Sequence, residues 1–191
     1  MEMAIYGLAM PFNQFYWNYN SQTNTYELEL TNYEVTELWK EIPLTLEHNK
    51  YWTIGRTGKN LSVLLNPAGV FFKLVPDTPE SFKAYKDVKE GFLRHCSVTF
   101  LRHKSREFVE ECKIQSLARI MNLNHNFIVE EHNEVLVHEI CLTNSPGNKA
   151  TFCTTDRNDM RLKGVKWDVY ESEGAEGDAT SHDGRNDGKS S

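Results

Sequence analysis

No stretch of this 191-residue chain sustains the roughly 20 apolar residues that a membrane-spanning helix requires, which predicts a soluble protein without a membrane partner. Basic charge is in short supply: 21 Lys and Arg stand against 27 Asp and Glu, for a net −6. A nucleic-acid partner needs a basic face for its phosphates, so none is expected. Cysteine is sparse and irregular, with no C-x-x-C among Cys96, Cys112, Cys141 and Cys153. The opening MEMAIYGLAM has neither the basic start nor the apolar run of a signal peptide. Reduced thiols in a cytosolic protein are therefore expected rather than disulfides. A zinc reading would gather His95, Cys96, His103 and Cys112, but at no familiar ligand spacing, and no metal or cofactor is expected. Large apolar residues vanish after Tyr170, where ESEGAEGDATSHDGRNDGKSS cannot offset the entropy of ordering itself. The expectation is one folded domain over residues 1–160 and a disordered tail over 161–191.

What is present reads mainly as β-structure. Residues 3–13 suit a first strand, Tyr26–Thr31 a second, and 33–41 a short helix. In IPLTLEHNKYWTIGR, Leu44, Leu46 and His48 recur with period two, which puts His48 near the end of an inward-facing strand row. Residues 61–65 and 69–75 read as strands joined by the Asn66–Pro67–Ala68–Gly69 turn. Thr78, Pro79 and Glu80 signal a helix start, and Gly91 its end. Phe82, Tyr85, Val88 and Phe92 supply its expected apolar face. Residues 95–102 read as a strand with Cys96, Val98 and Phe100 on one face and Ser97, Thr99 and Leu101 on the other. A second helix is expected over 105–121, then strands over 134–143 and 149–154.

A serine hydroxyl becomes a nucleophile when a histidine takes its proton and a third group orients the imidazole. The G-x-S-x-G elbow of the common hydrolase fold is absent. What remains is Ser97 on a strand directly after a helix, His48 at the end of an earlier strand, and Glu139 within a later one. With seven histidines in the chain, several such triples can be drawn, and spacing alone does not choose among them.

An ordered set of segments does. The chain presents IPLTLEH, TIGRT, AGVFFKLVPDTP, a helix, Gly91 and then Ser97–Val98–Thr99–Phe100. Glu139–Ile140–Cys141–Leu142–Thr143 and Pro146–Gly147–Asn148–Lys149–Ala150 follow, and Gly7–Leu8–Ala9–Met10–Pro11–Phe12–Asn13 precedes them all. In this order the segments resemble the prohead protease family of tailed phages. The resemblance implies a mainly β fold with helices, a small β-barrel wrapped by α-helices akin to herpesvirus assemblin. It implies a serine endopeptidase with Ser97 as nucleophile and His48 as base. For the third member it points to Glu139, whose carboxylate would also stabilise an imidazolium. The neighbouring His138 is the alternative, and strict alternation would let only one of them face His48. The turn holding Pro146, Gly147 and Asn148 occupies the place of an oxyanion-donor loop.

The implied substrates are the scaffold and the N-terminal segment of the major capsid protein, cut in the host cytoplasm inside the assembling procapsid. Self-cleavage of the tail is a further expectation, and assemblin dimers leave a homodimer open. The alternative is a catalytically inactive relative that serves as a structural component of assembly. Arg94–His95–Cys96 before the serine, and Gly147 and Lys149 in the loop, depart from the family pattern.

Overall fold

In a strand, side chains alternate between faces, so a strand whose residues are all buried must be covered on both sides. The computed structural model describes residues 2–20, 25–107 and 128–167. Within it, β8 (Gly69–Leu74) is buried at every position, and β1 (Ile5–Pro11) at every position but one. These two strands form the middle of a four-stranded antiparallel sheet in the order β11–β1–β8–β7, with β7 at Leu61–Asn66 and β11 at Phe152–Thr154. Ile5, Ala9, Val70, Phe72 and Leu74 point from it into the main core. Tyr6 and Phe71 point the other way, onto Phe152, Leu162 and Trp167.

The second sheet is organised by one long strand, β10 (Ile128–Thr143). Three shorter strands lie parallel to it one after another: β3 (Thr25–Leu30), β4 (Thr36–Leu38) and β5 (Pro43–Leu46). Along its other side runs antiparallel β9 (His95–Glu107). β2 (Tyr16–Asn20) pairs with β3, and β6 (Asn49–Arg56) pairs with β5. Leu44, Val137, Ile140 and Leu142 of this sheet close the main core against β1 and β8.

Helix α1 (Pro79–Lys89) starts as its residues dictate. Thr78 Oγ1 accepts the Ser81 amide at 3.2 Å, and Ser81 Oγ accepts the Thr78 amide at 2.9 Å, a reciprocal cap that satisfies two otherwise orphaned donors. Gly91, at φ +78°, takes the left-handed position that follows the helix, where an L side chain would be strained. The face that packs is Ser81, Ala84 and Val88. Phe82 and Phe92, expected on that face, are 43% and 65% exposed.

Three expectations are corrected. The strands do not close into a barrel wrapped by helices. The two sheets pack face to face and touch by strand pairing at one isolated bridge, Thr57 with Leu61, among the described residues. α1 is the one α-helix among the described residues. Residues 33–41 are a turn and β4 rather than a helix, because Thr36–Leu38 pair with Val135–Val137 of β10 directly after the turn at Asn32. At 105–107 the chain is still β9, held by pairing with β10, and residues 108–127 lie outside the described residues. No described helix is long and apolar enough to cross a membrane. Residues 161–167 remain packed through Leu162 and Trp167, and the rest of the expected tail lies outside the described residues.

Candidate active site

Register decides which side chains meet. On β9 and β10, Ser97 lies opposite Cys141 and Thr99 opposite Glu139, while β5 sets Thr45 beside Cys141. Cys96, Val98 and Phe100 turn to the core, so Ser97 and Thr99 occupy the other face. β5 ends at Leu46, and Glu47 and His48 form a two-residue hairpin turn into β6. His48 is thus outside the inward strand row near whose end its spacing from Leu44 and Leu46 would set it. It sits in the turn itself.

Both turn residues have positive φ, +50° for Glu47 and +54° for His48. Hairpins of this kind favour Asn-Gly, and each left-handed non-glycine residue costs about 1–3 kcal/mol. Neighbouring bonds hold the conformation. The Glu47 amide donates to Leu142 O at 3.0 Å, the His48 amide to Cys141 Sγ at 2.9 Å, and Thr143 Oγ1 to Glu47 Oε2 at 2.6 Å.

This turn brings His48 Nδ1 to 3.2 Å from Glu139 Oε2. Thr45 Oγ1 donates to Glu139 Oε1 at 2.6 Å, and Thr99 Oγ1 donates to Oε2 at 2.5 Å while lying 3.3 Å from His48 Nδ1. Burial pushes the Glu139 carboxyl up, but the hydrogen bonds from Thr45, Thr99 and His48, with the charge of His48, outweigh it and hold the group below its ordinary value. Thr99 has one hydroxyl proton and gives it to Glu139. Nδ1 must then carry its own proton to bond the carboxylate, which leaves the Nε2 lone pair free to accept one.

Ser97 is half-buried and lines the same pocket as His48. No hydrogen bond joins the two among the described residues, a looseness common in the absence of substrate. The pocket measures about 260 Å³, below the range of drug-sized ligand sites and suited to single side chains. Met10, Val98 and Phe100 form apolar parts of its wall, and Ser145, Gly147 and Asn148 bring the loop after β10 to its rim. Pro146 is buried and does not line it.

A second cleft lies on the Glu139 side of His48, where His138, Lys50 and Tyr51 also contribute. His138 reaches the same cleft as Glu139 because β10 carries an extra residue there: Val137 pairs with Phe100 and Glu139 with Thr99. Strict alternation therefore fails at this point. The ring of His48 is bonded by Glu139 and Thr99.

The three thiols among the described residues are buried and held protonated. Cys96 is fully buried, its Sγ 3.0 Å from Leu8 O and 3.1 Å from Phe152 O, and burial raises its pKa well above the ordinary thiol value. Burial likewise pushes Cys141 up to about 11 and Cys153 up to about 12. Of the residues in the zinc reading, His95 Nδ1 lies 2.7 Å from Thr151 O, and Cys112 lies outside the described residues. Among the described residues no group of three or more potential ligands is placed to hold a metal.

Two members of this constellation went unnoticed in the sequence. Thr45 and Thr99 anchor the carboxylate, and period-two alternation was their available signal: Thr45 opposes the Leu44–Leu46 row, and Thr99 shares the face of Ser97.

Comparison with protein families matches residues 3–163 to the family described as Caudovirus prohead serine protease. No curated protein and no solved structure matches the chain.

Proposed function

Since the chain belongs to the Caudovirus prohead serine protease family, we propose that it is a serine endopeptidase of procapsid maturation in which Ser97 is the nucleophile, His48 its base and Glu139 the orienting acid. The observation that carries the assignment is the His48–Glu139 contact at the rim of a pocket that Ser97 also lines. In this reading Ser97 Oγ attacks a peptide carbonyl and loses its proton to His48 Nε2. Glu139, bonded to Nδ1, holds the imidazole in the tautomer that can accept that proton and stabilises the imidazolium that results. The His48 proton then goes to the leaving amine, and water repeats the sequence to release the acyl group.

Family membership gives a protease role in capsid maturation, acting on capsid-related proteins within the assembling procapsid. The finer reading is that the chain cuts the scaffold and the N-terminal segment of the major capsid protein, inside the procapsid as it assembles in the host cytoplasm. Removal of its own tail, action as a homodimer, and donation from the loop at 146–148 to the oxyanion belong to the same reading.

Mass spectrometry of the chain coexpressed with its neighbouring capsid genes tests it. Wild type should yield trimmed capsid proteins, and Ser97→Ala should yield none while remaining folded. Undiminished trimming by the variant overturns the assignment of Ser97. Absence of trimming in both, with normal assembly, favours a purely structural role.

A further inference from the structure

The pocket beside Ser97 includes a residue with a buried polar atom that the fold leaves without a partner. Asn148 Nδ2 is shielded and makes no hydrogen bond, one of two such side-chain atoms among the described residues. The rest of Asn148 is firmly tied. Its Oδ1 accepts the Ala150 amide at 2.8 Å, and its carbonyl accepts the Thr151 hydroxyl at 2.9 Å and the Thr151 amide at 3.3 Å. The Ala150 bond also settles which end of the amide is which, because a flipped group would set NH₂ against N–H. An NH₂ group is thus held, oriented and unpaired. Leaving a buried donor unpaired is costly, and a site where negative charge appears only during reaction is one of the few settings that repays it.

We propose that the side-chain amide of Asn148 donates a hydrogen bond to the oxyanion of the tetrahedral intermediate. The inference rests on the protease reading of the same pocket and names the donor atom within its loop, a side-chain nitrogen. The Ser145 amide is already given to Thr143 Oγ1 at 3.0 Å, so that backbone donor is engaged. As Ser97 Oγ bonds the carbonyl carbon, its proton passes to His48 and the carbonyl π pair moves onto oxygen. That oxygen takes the Asn148 hydrogen bond. When the carbonyl re-forms, the C–N bond breaks and the amine leaves with the proton from His48. The Asn148 bond strengthens only as charge develops, which is what makes such a donor catalytic.

A fluorophosphonate probe tests this on the full chain without knowledge of the natural substrate. Ser97 Oγ forms an O–P bond, the P–F bond breaks, fluoride leaves, and the Ser97 proton passes to His48. The phosphoryl oxygen occupies the oxyanion position. Asn148→Asp keeps Oδ1 for the Ala150 amide and nearly the same shape, but removes the donor. Asn148→Ala removes both without adding a charge. In each, the saturating rate of labelling at Ser97, read by mass spectrometry, should fall about 10²- to 10³-fold, with the half-saturating probe concentration unchanged. Saturating rates within about threefold of wild type in both variants overturn the inference, as does a loss confined to half-saturation. Labelling at Ser97 that ignores residue 148 overturns this inference alone. A wild-type chain that takes no label at Ser97 overturns the assignment of Ser97, and this inference with it.

Discussion

His48 Nδ1 and Glu139 Oε2 lie 3.2 Å apart although 91 residues separate them in the chain. Parallel pairing of β5 with β10 carries the turn after β5 to the neighbourhood of Glu139, and the bonds from Glu47 and His48 to β10 keep it there. Glu139→Gln keeps the shape of the side chain and removes the charge that favours an imidazolium. Its rate of Ser97 labelling by a fluorophosphonate should fall about 10²- to 10⁴-fold. A fall smaller than about threefold would show that Glu139 does not orient the base.

Stability should depend on pH through the same carboxyl. Its folded pKa is lowered, so the unfolded chain binds more protons than the folded one between the ordinary Glu value, about 4.3, and the lowered one. The contribution is complete above that window and is lost as pH falls through the folded value. Urea unfolding should show the stability gap between wild type and Glu139→Gln shrinking from about pH 6 to about pH 3. A constant gap would contradict the linkage. Thr99→Val, which removes a bond to a charged group, should cost about 1.5–3 kcal/mol at neutral pH, and Thr99→Ser should restore most of it.

Thiol chemistry should leave the activity untouched. Cys96, Cys141 and Cys153 are buried, and their raised pKa values keep them protonated near neutrality. In a Cys112→Ser background, iodoacetamide at about pH 8 should modify none of the three until the chain is unfolded, and Ser97 labelling should continue at its original rate. Rapid alkylation of Cys141 in the folded chain, with loss of labelling, would point to a thiol in the reaction.

The sequence was most legible where a local rule acts alone. The Thr78–Ser81 cap, the Gly91 stop and the Asn66–Gly69 turn depend on residues within a few positions of one another. Legibility failed where pairing partners are remote. The 33–41 segment yields to pairing of β4 with β10, and β9 continues to Glu107 because β10 is long enough to pair with it. Ser97 and Glu139 could be set on strands from their own neighbours. His48 could not be placed in its turn, because nothing in Glu-His signals a left-handed pair; the bonds that hold it come from Cys141, Leu142 and Thr143. The open layering of the two sheets, in place of a closed barrel, lies in which strands pair, with β1 and β8 central in one sheet and β10 in the other, and no local pattern in the chain specifies those partners.

The surplus residue at His138 absorbs a mismatch in length between β10 and β9. Deleting that one position would leave Val137 opposite Phe100 and Glu139 opposite Thr99 as neighbours in an unbroken ladder, with Ile140 and Leu142 still inward. Deleting a residue from the regular run just after it would instead turn the remainder of the strand over. The bulge is a place in β10 where a residue can be lost without exchanging the two faces.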